Sequence, residues 1–140
     1  MFKIFKGLYY KDCNSEEITD LINAINEDSS EFNNFLLFHL EVIDHSIKKL
    51  SESETSVLEL SAIKQLVGTL YLAKKIEVVF NERLEDLKIP TSEKESIKLN
   101  GESIVNGIEK VAEYNKKNMM ATDSSTLLIY LSLSWFIGVD

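Results

Sequence analysis

Residues 31–50 read EFNNFLLFHLEVIDHSIKKL. At 100° per residue Phe32, Leu36, His39, Ile43, Ile47 and Leu50 share one face, with Phe35, Leu40 and Ser46 beside them. Glu41, Asp44, His45 and Lys48 lie opposite. That rhythm predicts a helix with one side in a core.

The same logic extends upstream. Asp28, Ser29 and Ser30 punctuate the chain and re-cap it. Before them, Ile18, Leu21, Ile22 and Ile25 recur at i, i+3, i+4 and i+7, which predicts a first helix. Asn14 or Ser15 would cap it, with Glu17 as the capping-box partner of Asn14.

Downstream, Ser51 to Thr55 reads as an acidic loop, and Ser56 with Glu59 as another capping box. A third helix is expected from there to about Ile89, ended by Pro90, the one proline of the chain. It would run some 33 residues, about 50 Å at 1.5 Å rise. Its apolar stripe shifts from Leu60, Ile63, Val67 and Leu70 to Ala73, Ile76, Phe80, Leu84 and Leu87. Either it bends near Gly68 to Lys74 or its halves meet different neighbours. Ser92 with Glu95 would cap a fourth helix. Ile97, Gly101, Ile104, Ile108 and Val111 follow a 4-3-4-3 spacing, the rhythm of an almost antiparallel bundle helix. Asn100-Gly101 is also a type I′ hairpin signal, but the apolar rhythm continues through it.

The ends read less simply. Residues 1–13 form an aromatic and basic start, a short strand or hairpin, or an irregular arm packed on helices. Asn118 to Ser125 reads as a loop. Thr126 to Val139 is apolar nearly all round, which suits a central helix, or alternates enough to pair as a strand with residues 2–10. If exposed instead, Leu127 to Val139 would be a self-association face.

At 140 residues the chain has the size of one domain, taken as a single helical domain over 1–140. One proline and five glycines argue against an all-β fold. The expected class is all-α: a single-domain bundle of four or five helices with one long central helix. The alternative is α+β with short N- and C-terminal strands.

Charge is the unusual feature. The formal net charge is −8, from 15 Lys and Arg against 23 Asp and Glu. Residues 12–59 hold twelve acids against Lys48 and Lys49, a balance of −10, so nearly all the imbalance falls on the first two helices. Glu16, Glu17, Asp20, Glu27, Asp28, Glu31, Glu41 and Asp44 are the candidate partner-binding residues on an acidic surface. Such a field speeds association with a basic partner and repels nucleic acid. Arg83 is the single arginine, which also disfavours nucleic-acid binding.

Catalytic patterns are absent. There is no P-loop, GxGxxG, GxSxG or HExxH. Asp44, His45 and Ser46 are consecutive and would point three ways from a helix, so they form no relay. Cys13 stands alone, which excludes an intrachain disulfide and fits a reducing cytoplasm. Glu41 and His45, at i and i+4, could share a metal with His39. His39 reads more simply as a core histidine and His45 as a solvated one, so no metal or cofactor is expected. Lys3 and Lys6 interrupt the start, so it does not read as a signal peptide. No apolar run reaches the roughly 20 residues of a membrane span, so no stable membrane insertion is expected.

These features point to a non-enzymatic, cytoplasmic protein-binding module of bacterial or phage type. It would resemble an immunity protein or antitoxin in action, occluding a basic, nuclease-type toxin by bulk and charge. The alternatives are a metal-binding helical bundle or enzyme around His39, Glu41 and His45, and an oligomeric scaffold.

Overall fold

The computed structural model describes residues 15–52, 58 and 60–118. Expectations for residues 1–14, including Cys13 and the Asn14 cap, lie outside the described residues, as do those for Ser56, Glu59 and residues 119–140. The described residues are all-α, with no strand among them. The helices are α1 (Ser15–Glu27), α2 (Ser29–Glu52), α3 (Leu60–Glu82) and α4 (Thr91–Asn118), with a 3-10 turn over Leu84–Asp86.

α1 buries the expected stripe, Ile18, Leu21, Ile22 and Ile25. One residue then separates it from α2. The Asp28 carbonyl accepts from the Phe32 amide at 3.0 Å, and its Oδ1 accepts from the Glu31 amide at 3.0 Å. Asp28 is thus the N-cap of a helix that starts two residues before Glu31. α2 buries Phe32, Phe35, Leu36, Ile43 and Leu50. Phe35, expected at the flank, is fully enclosed, whereas His39 and Ile47 are half-buried.

α3 is shorter than expected. It ends at Glu82, well before Pro90. Arg83 leaves the helical region at φ −138°, ψ 32°, and the 3-10 turn follows. Its guanidinium donates to Asp86 Oδ2 at 2.8 Å and to Thr19 Oγ1 on α1 at 2.9 Å. Asn26 of α1 donates to the Asp86 carbonyl at 3.0 Å and accepts from the Lys88 amide at 2.7 Å. α1 thereby satisfies backbone groups that a continuing helix would have paired internally. The middle of α3 is covered on several sides: Leu66, Val67, Thr69, Tyr71, Leu72, Ala73, Lys75 and Ile76 are all buried.

α4 begins two residues earlier than a Ser92 cap would require. The Pro90 carbonyl accepts from the Glu93 and Lys94 amides at 3.0 and 3.1 Å, so Ser92 lies inside the first turn and caps nothing. Ile97, Gly101, Ile104, Ile108 and Val111 are all buried. Asn100-Gly101 is helical, and no hairpin forms there.

Polar contacts fix the directions of the helices. Ser29 donates to Glu93; Asn33 donates to Ser96 at 3.0 Å and accepts from Asn100 at 2.7 Å. Gly107 abuts Ile43. The partners ascend together, so α2 and α4 run parallel. The Asn26 contacts bring the end of α1 and the turn after α3 to the end of the bundle where α2 and α4 begin. α1 and α3 therefore run the other way. The antiparallel expectation for α4 holds against α3 but not against α2, its broadest neighbour. An apolar stripe records which side of a helix is buried, not the direction of what covers it.

Candidate partner-binding surface

α1 carries no lysine or arginine. Glu16, Asp20, Asn23 and Glu27 are exposed and fall within about 60° of one another around its axis. They make an acidic ridge about 16 Å long. The opposite side of α1 lies in the core, and its end is held by Asn26, so the ridge is fixed by the fold.

The other candidates sit elsewhere. Glu17 is drawn inward, with its carboxylate 3.2 Å from the Lys75 ammonium, which is fully enclosed. Asp28 and Glu31 mark the junction with α2, where Asp28 is engaged as the cap and Glu31 is half-buried in the first turn. A carboxylate there also favours the helix dipole. Glu41 and Asp44 are exposed on α2. Asp44 lies 13 residues beyond Glu31, about 20 Å along the axis. Glu16, Asp20 and Glu27 thus come together, Glu17 does not join them, and the α2 acids occupy separate positions.

The histidines do not converge. The His39 ring lies edge-on to Phe35 at 4.6 Å between centroids and to Phe38 at 5.8 Å. Its Nδ1–H donates to the Phe35 carbonyl at 2.9 Å. Burial lowers its pKa from the ordinary 6.5, and the carbonyl contact opposes part of that shift. Glu41 and His45 are exposed, and His45 points about 120° away from His39 around α2. Among the described residues no three His, Cys, Asp or Glu side chains are grouped to hold a metal.

Two features escape the sequence reading. One is an open groove of about 290 Å³ between α3 and α4, floored by Ala73, Ile76, Phe80, Gly101 and Val105 and edged by Glu77, Lys98 and Glu102. The other is the exposure of Leu37, Phe38 and Val42 on α2. The signal for the second was present: the run FLLFHLEVI holds more apolar residues than one helix face can bury.

No helix among the described residues is long and apolar enough to cross a membrane. No protein-family model, curated protein or solved structure matches this chain.

Proposed function

We propose that this chain is an acidic protein-binding module that covers a basic partner protein. In the most concrete form it is an immunity-protein or antitoxin-like inhibitor of a nuclease-type toxin in a bacterial or phage-infected cytoplasm. The α1 ridge of Glu16, Asp20 and Glu27 carries the reading, because these acids share one face of a helix that has no basic residue. Carboxylates held in a row attract a cationic surface built for phosphates and speed its capture. The bulk of the bundle would then block access to that surface. The protein needs no catalytic group for this.

The test compares the protein with the triple variant E16K/D20K/E27K. Both are used to capture partners from host extract at low and high salt, and any nuclease activity of the captured protein is assayed. The expected result is a basic protein retained in stoichiometric amount, inhibited by the native chain, and lost with the triple variant or at high salt. Retention that ignores both the charge reversal and the salt would overturn the electrostatic mechanism. Capture of no basic protein would overturn the function.

A further inference from the structure

α2 presents a second face to solvent. Phe38 is 47% and Val42 42% exposed, although the opposite side of the helix lies in the core. At 100° per residue Glu31, Phe38, Val42 and Lys49 fall within about 40° of a single line along α2. Their spacings are seven, four and seven residues, so the set is symmetric about position 40. An acid stands at one end, a base at the other, and two apolar side chains lie between. The line is about 27 Å long.

Turning such a helix end for end and laying it on a copy of itself brings unlike groups together. With the two-fold axis at the level of residue 40, Phe38 meets Val42 and Glu31 meets Lys49, each pair formed twice. A parallel arrangement would instead oppose Glu31 to Glu31 and Lys49 to Lys49. We propose that a second copy of this chain docks on this face, with the two α2 helices antiparallel. The order of charges selects this occupant, because the stripe carries both signs at the positions that the symmetry exchanges. Glu41, about 80° from the line, shares a flank with its symmetry mate and opposes close association. The exposed apolar surface is small beside the roughly 800 Å² per partner of a standard interface, so the dimer is weak and concentration-dependent. It uses none of the α1 ridge.

The average mass of the full chain is followed by sedimentation equilibrium from about 10 μM to about 1 mM, the range in which a weak dimer assembles. The expected result is a rise toward twice the monomer mass. F38E should raise the dimer Kd about tenfold or more, since it removes an apolar contact and buries a charge. E31K and K49E should each weaken the dimer several-fold, and E31K/K49E should restore it to within about twofold. Lys49 is exposed, so its variant tests the interface even where F38E fails to fold. A monomer throughout the range, a dimer indifferent to K49E, or a double variant no better than the singles would overturn the proposal.

Discussion

The Glu17 carboxylate and the Lys75 ammonium lie 3.2 Å apart across the α1–α3 interface, and the lysine side chain has no exposed surface. A buried charge is costly unless an opposite charge stays with it. The pair ties α1, the bearer of the acidic ridge, to the most enclosed stretch of the fold. Glu17→Gln should therefore destabilise the protein by about 3 kcal/mol. Lys75→Met should cost less, because it replaces the enclosed ammonium with an apolar group of similar length. Chemical denaturation of the two variants gives the comparison, and equal losses would contradict it.

Gly107 and Gly101 face different neighbours at different clearances. A Cβ at Gly107 would come within 2.6 Å of Ile43 Cγ2, whereas one at Gly101 would lie 3.2 Å from Ile76 Cγ2. Gly107→Ala is expected to lose about 1–2 kcal/mol through overpacking. Gly101→Ala should stay within about 0.5 kcal/mol of the native protein, since the gain in helix propensity offsets the tighter fit. Ile43→Leu removes the branch that Gly107 abuts. It should rescue Gly107→Ala in a double-mutant cycle, and absence of coupling would refute the contact.

Asn26 serves two backbone groups of the turn after α3, the Asp86 carbonyl and the Lys88 amide. Asn26→Ala should cost about 1–2 kcal/mol. Hydrogen exchange should quicken first at Lys88, ahead of the centre of α4. Unchanged exchange at that amide would show that the turn holds without α1.

His39 gives the protein a pH dependence of defined sign. Burial holds its folded-state pKa below the 6.5 of the free side chain, so the unfolded chain binds the proton more readily. The stability due to the neutral ring is complete above pH 6.5 and is lost as pH falls through the lower folded value. Thermal melts between pH 7 and pH 5 should show the decline, and His39→Gln should flatten it. An equal slope in that variant would assign the dependence to other groups.

The helices were legible where the sequence is periodic. Ile18, Leu21, Ile22 and Ile25 on α1, and Ile97, Gly101, Ile104, Ile108 and Val111 on α4, carry the spacing of a half-buried helix, and all are buried. The end of α3 was not legible, because Asn26 and Arg83 settle it from outside the helix and Pro90 plays no part in it. The Ser92 cap failed for a similar reason: the Pro90 carbonyl already receives the amides that a cap would serve. Among the acids, the sequence could not separate Glu17 from Glu16. Adjacent residues on a helix point about 100° apart, and only the fold shows that one of those directions leads to Lys75. Lys75 itself carries no mark in the sequence that distinguishes it from the exposed lysines.

The parallel seam between α2 and α4 joins residues made at different times. Ser29 and Glu93 stand 64 positions apart. At roughly 5–20 residues per second, a ribosome exposes the apolar side of α2 about 3–13 s before the matching turn of α4 exists. During that interval the α4 surface that Ile43 meets at Gly107 does not yet exist, so the α2–α4 seam cannot close before α4 emerges. Truncation before Gly107 should leave a nascent chain that a chaperone retains, and extension past α4 should release it.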